Sequence, residues 1–114
     1  MQSPSRDPQV LLADIEDAAT KVIAYAAGQS RLTVFVDAMR LDAILHNLHV
    51  IGEAVKRLPP EVKDQRPDMP WREIAGMRDV IAHAYFALDL GLVWDAIQRD
   101  VPELLAAVQA LRDK

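Results

Sequence analysis

Apolar residues return every three or four positions through most of this chain, and that spacing leaves little besides α-helix open to it. The clearest run extends from about Arg40 to Leu58 and contains Leu41, Ile44, Leu45, Leu48, Ile51, Gly52, Val55 and Leu58. Such a period places the apolar side chains on one face of a helix. Pro59 and Pro60 then end the helix, because proline lacks the N–H that a helix interior requires.

The ends of the chain carry the same period. Asp7 and Pro8 are typical of a helix N-terminus, and Gly28 is typical of a helix end. The apolar positions between them are Leu11, Ile15, Ala18, Val22 and Ala26. The C-terminal run contains Leu92, Val93, Ile97, Val101, Leu104, Leu105, Val108 and Leu111. Pro102 lies inside this run and predicts either a kink near Gln98 to Val101 or two helices with a cap at Asp100.

Two shorter stretches are less regular. Thr33 to Val36 has the composition of a strand, but it has no partner strand and is predicted as a short helix or helix entry. Between Glu61 and Asp68 at most one short helical turn fits before Pro70. Pro70 then begins a helix that is predicted to run to about Phe86.

Composition agrees with a helical protein. The chain has 114 residues, 51% of them hydrophobic, with four glycines and no cysteine. We therefore predict an all-α fold, a compact antiparallel bundle of four to five helices over residues 1–114, with residues 1–7 as a flexible N-terminus. The absence of cysteine excludes disulfides and thiolate sites, and no stretch is typical of a signal peptide or a membrane span. We expect a cytoplasmic protein.

The net charge of −4 argues against nonspecific coating of nucleic acid, so any RNA contact needs a local basic patch. Lys56, Arg57, Lys63 and Arg66 could extend such a patch, although most charge clusters are solvated.

The candidate site is the segment from Met77 to Tyr85, where Arg78, His83 and Tyr85 interrupt an apolar helical run. At about 100° per residue, Ile74, Met77, Val80, Ile81 and Ala84 share one arc, which is the predicted core face. An outward strip of small and aromatic residues lies between Arg78 and His83. Its members are Trp71, Ala75, Ala82 and Phe86. Such a strip is a poor solvated surface and a good docking surface, so we predict a homodimer contact there.

Histidine and arginine suit chemistry at a phosphate. An imidazole, with an ordinary pKa of about 6.5, can take or give a proton at cellular pH. Arginine supplies a planar, permanently charged fork. For His83 the alternative is a local pair with Asp79, four residues earlier on the same face. Asp79 is predicted to orient His83 or raise its pKa, with an ordinary exposed acid as the alternative.

The spacing of Arg78, His83 and Tyr85 resembles the signature of the HEPN superfamily, specifically the HepT-like ribonuclease toxins. Ile51 to Leu58 and Pro70 to Arg78 also resemble that family, in order and spacing, and the similarity covers roughly residues 8 to 105. The short pattern alone is weakly specific. The three stretches together are strongly specific.

The resemblance implies a metal-independent endoribonuclease toxin of a toxin–antitoxin system, with Arg78 and His83 as catalytic residues at a dimer-interface cleft and RNA as substrate. It also implies a partner, an MntA-like minimal nucleotidyltransferase antitoxin that transfers AMP to Tyr85, and a hetero-oligomer with it. No cofactor is expected. Without the resemblance, Tyr85 would be interpreted as a half-buried tyrosine at the dimer edge.

Several assignments have plain alternatives. Arg72 is a candidate to bind a phosphate that flanks the cleavage position, and the alternative is an arginine that contacts only solvent. Glu53 is a candidate because it lies in the second family-like stretch, and the alternative is a surface or interface salt bridge. His46 and His49, with Glu53 nearby, make half a metal site conceivable, but a closed site needs more ligands, and we predict no metal. The main rival function is a non-catalytic helical binding module that docks on a nucleotidyltransferase. A degraded, inactive toxin is the third interpretation.

Overall fold

The computed structural model describes residues 7–82 and 90–113, apart from the side chains of Arg78 and Val80. All regular structure in these two ranges is helical. The helices are α1 Pro8–Ala26, α2 Arg31–Val36, α3 Ala38–Arg57, α4 Pro60–Lys63, α5 Trp71–Ala75, α6 Met77–Ala82, α7 Leu90–Asp95, a π-helical turn Ala96–Asp100, and α8 Val101–Arg112. Within the described ranges, none of these helices combines the length and the apolar character needed to cross a membrane.

Helix α1 begins and ends as its sequence predicts. The carboxylate of Asp7 accepts the N–H of Gln9 at 2.7 Å, and Pro8 is the first helical residue. At the other end Gly28 has φ +73, a left-handed backbone conformation that glycine adopts without steric cost. The flexible N-terminus expected over residues 1–7 lies outside the described residues, except for Asp7, which caps α1.

Contacts at both ends show that α1 and α3 are antiparallel. The Arg40 guanidinium, near the start of α3, donates to the backbone carbonyl of Tyr25, near the end of α1. At the opposite end, Leu11 of α1 faces Ala54 of α3 across a groove. The two long helices therefore pack against each other along their length.

Helix α8 packs on α1 in the same antiparallel manner. Arg112, the last residue of α8, forms an ion pair with Glu16 at 2.6 Å. Pro102, near the start of α8, lies beside Ile23 toward the end of α1. The antiparallel arrangement predicted from the sequence is therefore present for these three helices.

The core is one cluster of apolar side chains from all the longer helices. Every apolar position predicted for α1 is buried, as are those predicted for α3 apart from Leu41, which is half-buried. The prediction for Leu92 was wrong, because its side chain is 40% exposed. Burial on this scale, at about 25 cal/mol per Å² of apolar surface, is the main stabilising contribution to the fold.

The junction between α2 and α3 is set by two caps. Ser30 and Thr33 form a reciprocal capping box, in which the Thr33 N–H donates to Ser30 Oγ at 3.1 Å and the Ser30 N–H donates to Thr33 Oγ1 at 2.8 Å. The Asp37 carboxylate then accepts the N–H of Arg40 at 3.1 Å and caps α3. These local bonds select a helix over the strand that the composition of Thr33 to Val36 suggests. The predicted short helix is confirmed.

The disturbance expected from Pro102 takes the form of a π-helical turn. Pro102 has no N–H to donate to the carbonyl of Gln98, and the backbone widens over Ala96–Asp100 just before it. The alternative of two helices with a cap at Asp100 was wrong, because Asp100 is helical (φ −68, ψ −44) and its side chain makes no capping bond. Together with one further interruption at Gly76, this turn raises the helix count in the described residues above the predicted four to five.

Candidate functional site

The helix that carries the site is interrupted at Gly76. The prediction of one continuous helix from Pro70 to about Phe86 was wrong at that point, since the structure has α5 before Gly76 and α6 after it. Gly76 leaves the helical region at φ −80, ψ 14, and its carbonyl accepts the Asp79 N–H at 2.9 Å across a tight turn. A Cβ at Gly76 would lie 3.3 Å from the carbonyl oxygen of Glu73, so glycine suits this turn. A helical projection at 100° per residue therefore cannot be continued from one side of Gly76 to the other.

Trp71 shows the consequence of that interruption. The sequence placed its side chain on the outward strip, but the side chain is only 8% exposed and packs in the chain's own core. Its indole Nε1 donates to the carbonyl of Lys63 at 3.1 Å and to the carbonyl of Arg66 at 3.0 Å. The predicted orientation of Trp71 was wrong because α5 and α6 are separate helices. A helical projection that starts at Arg78 on α6 does not give the orientation of side chains on α5. Trp71 fixes the start of the site segment.

The other predicted surface residues on these helices agree better with the projection. Ala75 is half-buried and Ala82 is exposed, whereas Ile74 and Met77, on the predicted core face, are buried. The fourth member of the strip, Phe86, lies outside the described residues. The part of the strip that the structure describes is therefore formed by Ala75 and Ala82.

A second glycine sets where α6 lies. Gly52 is buried on α3, and a Cβ built on it would lie 3.2 Å from the Cβ of Met77 and 3.5 Å from the carbonyl oxygen of Ala75. Any larger residue would push the α5–α6 segment away from α3. Met77 immediately precedes Arg78, so this close approach positions the backbone that carries the candidate arginine.

The structure describes the predicted site residues to different extents. The backbone of Arg78 belongs to α6, and its side chain is not among the described ones. His83 and Tyr85 lie outside the described residues; His83 directly follows Ala82, the last residue of α6. Asp79 and Arg72 are both exposed, Asp79 on α6 and Arg72 on α5.

Glu53 lies on a different part of the surface. It is half-buried and lines a groove of about 220 Å³ between α1 and α3, together with Leu11 and Asp14 of α1. Gly52, one residue earlier, faces α5 and α6. The structure therefore does not bring Glu53 to the α5–α6 segment, although it belongs to the same turn of α3.

The residues considered for a metal site do not form one in the described ranges. His46 and His49 are both exposed on α3. Within residues 7–82 and 90–113, no group of three or more histidine, cysteine, aspartate or glutamate side chains is arranged to hold a metal ion.

The charges around the start of α5 are mixed, with four acidic and three basic residues between Glu61 and Glu73. Arg66 forms a two-pronged ion pair with Asp68, at 3.0 Å and 2.8 Å, which lowers the pKa of the Asp68 carboxyl and raises that of the guanidinium. Four other cations in this region have no ion pair with another residue of the described ranges. These are Lys56, Arg57, Lys63 and Arg72. They are available to contact an anionic ligand.

Sequence reasoning missed how Gly52 and Gly76 position the site, and it placed Trp71 on the outward strip and not in the core. Gly52 and Gly76 allow the close approach and the turn, and Trp71 anchors α5. A signal existed for the glycines, since an isolated glycine inside a helical period often marks close packing or an interruption. No signal in the local pattern distinguished a buried Trp71 from an exposed one.

Replacement of Trp71 by phenylalanine tests the anchor. The ring keeps most of its buried area but loses two hydrogen bonds, so we expect the free energy of unfolding to fall by about 1 to 2 kcal/mol. Urea titration measures this loss. Trp94→Phe is the matched control, because the Trp94 indole is half-buried and makes no hydrogen bond within the described ranges. Equal losses in the two variants would show that the bonds to Lys63 and Arg66 contribute nothing.

Replacement of Gly52 by valine tests the close approach. Two added methyl groups overlap the Met77 side chain and the nearby carbonyls, so we expect a loss of roughly 1 to 3 kcal/mol in the free energy of unfolding. His46→Val, at an exposed position of the same helix, controls for the introduction of a β-branched side chain into α3 without a steric clash. If both variants unfold at the same urea concentration, Gly52 is not needed for the packing of α6.

The same segment lies within a match to a known family. The family model described as "Ribonuclease HepT-like" matches residues 15–111. A Thermococcus cleftensis protein named "Probable ribonuclease HepT" is 41% identical over 70 residues, which cover 61% of this chain and 64% of that protein. A Caldanaerobacter subterraneus protein, provisionally named an RNase, is 40% identical over 78 residues, or 68% of this chain and 70% of that one.

A third relative is longer. A Methanocaldococcus jannaschii protein, whose name pairs gamma-glutamylcyclotransferase with a provisional RNase assignment, is 32% identical over 99 residues, or 87% of this chain. The aligned region is 45% of that protein, so the chain spans less than half of its length. No solved structure matches the chain significantly.

Proposed function

Because the chain belongs to the HepT-like ribonuclease family, we propose that it is a metal-independent endoribonuclease and the toxin of a toxin–antitoxin pair. The observation that carries the proposal is the family match over residues 15–111, which includes the Arg78, His83 and Tyr85 segment. The relatives named above bear ribonuclease names, which supports RNA as the substrate class.

The proposed reaction is an internal transfer at phosphorus. His83 takes the proton of a ribose 2′-OH, and the resulting alkoxide attacks the adjacent phosphorus atom. The bond from phosphorus to the 5′-oxygen breaks, and the departing oxygen receives a proton, which leaves a 2′,3′-cyclic phosphate and a 5′-OH. Arg78 binds the phosphoryl oxygens as negative charge develops on them. DNA is not a substrate, because it lacks the nucleophilic hydroxyl.

Two copies of the chain are proposed to share one cleft. A single histidine cannot comfortably act as base and acid in one turnover, whereas a two-fold axis brings two copies of His83 to one scissile bond. The half-buried Ala75 at the end of α5 and the exposed Ala82 at the end of α6 support a contact along these two helices, and Phe86 is proposed to extend it.

Three further residues are proposed to assist. Asp79, exposed one residue after Arg78, orients His83. Arg72, which is exposed on α5 and has no ion pair within the described ranges, binds a flanking phosphate. Glu53 lines the groove between α1 and α3, so its proposed role is an interface salt bridge rather than contact with the reacting phosphate.

The proposed regulator is an MntA-like minimal nucleotidyltransferase antitoxin, in a hetero-oligomer with the toxin. It transfers AMP from ATP to the Tyr85 hydroxyl: an oxygen–phosphorus bond forms, pyrophosphate leaves, and the phenolic proton passes to solvent. The added nucleotide and its negative charge stand beside Arg78, where they compete with RNA for the guanidinium.

The substrate itself provides the test. Purified protein is incubated with a labelled RNA oligonucleotide, with the matching DNA, and with RNA carrying one 2′-deoxy residue at the cleavage position. We expect cleavage of the RNA alone and a product mass that shows a 2′,3′-cyclic phosphate. Cleavage at the 2′-deoxy position would contradict the mechanism, and no cleavage of any RNA by the dimeric protein would favour a binding module.

A further inference from the structure

Gly52 occupies a position where its own helix would favour a different residue. It lies inside the 20-residue helix α3, more than one turn before the end of that helix, and it is buried. Glycine is less favourable than alanine in a helix interior, because it loses more backbone freedom on folding. The helix alone therefore gives no reason for a glycine here, and the reason lies in what packs against it.

The atoms that face Gly52 belong to the backbone of the α5–α6 segment or are fixed to it. A Cβ on Gly52 would lie 3.2 Å from Met77 Cβ, 3.5 Å from the carbonyl oxygen of Ala75 and 3.6 Å from that of Ile74. None of these atoms can turn aside as the end of a flexible side chain can, because the backbone sets their positions. An ordinary contact between carbon atoms is about 3.5 to 4.0 Å. An alanine at this position would therefore move the segment outward by roughly a few tenths of an ångström.

The start of the segment is anchored and resists this movement. Trp71, the first residue of α5, is buried, and its indole Nε1 donates to two backbone carbonyls of the preceding loop at 3.1 Å and 3.0 Å. Helix α5 then ends at Gly76. The movement is therefore expected beyond that interruption, in α6, whose first residue Met77 carries the atom closest to Gly52.

Arg78 is the residue that this contact positions. It follows Met77 directly, so the two Cα atoms are about 3.8 Å apart. We propose that Gly52 is a positioning residue for RNA cleavage: it sets how closely α6 approaches α3 and thereby where the Arg78 backbone lies. The inference rests on the proposed function for the role of Arg78, and it adds a residue of α3 on which that role depends.

Gly52→Ala, measured in single-turnover cleavage of labelled RNA, tests the proposal. A misplacement of about 1 Å can slow a reaction about a hundredfold, so a few tenths of an ångström should cost roughly tenfold in the rate constant at saturating protein. The protein concentration that gives half of this rate should change less than about twofold, because the guanidinium matters most where charge develops in the transition state.

Val50→Ile is the matched control for Gly52→Ala. It also adds one carbon atom to α3, but Val50 lines the groove between α1 and α3 and does not face the α5–α6 segment. This variant should cleave RNA at the wild-type rate.

Met77→Ile alters the same contact from the side of α6. It keeps the side-chain volume nearly unchanged and adds a branch at the Cβ atom that lies closest to Gly52. We expect it to lower the rate constant in the same way as Gly52→Ala. Unfolding could explain a loss of this size only if about nine-tenths of a variant were unfolded, which circular dichroism would detect.

A double variant shows whether the effect depends on Arg78. If Gly52 acts by positioning that residue, Gly52→Ala should not lower the residual rate of Arg78→Ala further, because the group that it positions is already absent. A purely structural role of Gly52 predicts the same fractional loss with and without the arginine.

The outcomes separate this inference from the proposed function. Wild-type protein that does not cleave RNA overturns both. If the wild-type protein cleaves RNA, the inference is overturned when Gly52→Ala and Met77→Ile cleave at the wild-type rate, or when they slow Arg78→Ala by the same factor as wild type; the proposed function then stands. A loss of rate that requires Arg78, in folded protein with unchanged RNA affinity, supports the positioning role.

Discussion

Replacing His83 with alanine is expected to lower the rate of RNA cleavage at least about a hundredfold, because the proposed reaction loses the group that moves the proton. We expect an effect of similar size for Arg78→Ala, since the developing charge on the phosphoryl oxygens would lose its guanidinium. Neither variant is expected to change the helical content or the dimer. The measurement is the single-turnover rate with excess protein, which reports the chemical step and not product release.

Matched controls come from the same residue types at other exposed positions. His46→Ala removes an exposed histidine from α3, and Arg99→Ala removes an exposed arginine from the π-helical turn. Both should cleave RNA at the wild-type rate. A His83→Ala variant that cleaves as fast as His46→Ala would refute the catalytic assignment and favour the rival function, a non-catalytic binding module.

Replacing Tyr85 with phenylalanine is expected to leave a ribonuclease that the proposed antitoxin can no longer silence by modification. The ring and its packing stay, while the hydroxyl that accepts AMP is lost. With ATP, magnesium and the cognate nucleotidyltransferase, wild-type protein should gain the mass of one AMP per chain and lose RNA binding, while it stays folded and dimeric. Tyr85→Phe should gain no mass and keep its activity. On the same samples, intact mass measures the gain of AMP, peptide mapping locates the modified residue, and RNA cleavage measures the remaining activity.

Tyr25 provides the control for this experiment. It is half-buried on α1, and its backbone carbonyl, which is unaffected by a change of side chain, accepts the Arg40 guanidinium. Tyr25→Phe should therefore be modified as fully as wild type. Labelling that persists in Tyr85→Phe and disappears in Tyr25→Phe would show that the acceptor is Tyr25.

The elements that local chemistry defines could be predicted from the sequence. Asp7 with Pro8 marked the start of α1, Gly28 its end, and Pro59 with Pro60 the end of α3, and all three boundaries are where they were expected. Helix boundaries of this kind depend on a few adjacent residues, so one sequence suffices to find them.

The features that were not predicted depend on tertiary contacts. The interruption at Gly76 and the burial of Trp71 follow from how α5 meets α3 and the loop of Lys63 to Arg66. A helical projection assumes a straight helix and cannot represent such contacts. The exposure of Leu32 and Val36 on α2 was hidden for a similar reason, since the period of α2 alone does not show which side α3 and α7 cover.

The candidate site was predicted from spacing and family resemblance, and the structure adds how its backbone is positioned. Gly52 lets α6 approach α3, and Met77, which makes that contact, is followed directly by Arg78. The roles of Arg78, His83 and Tyr85 stay predictions, because they concern side chains outside the described set.

The most direct measurement is RNA cleavage by the purified chain in the presence of EDTA, beside His83→Ala protein prepared in the same way. We predict that the wild-type protein cleaves RNA at the same rate with EDTA as with magnesium, and that the variant does not cleave. The parallel preparation separates this activity from any contaminating nuclease. RNA cleavage that EDTA abolishes, or that His83→Ala retains, would contradict the proposal that this chain is a metal-independent ribonuclease acting through His83.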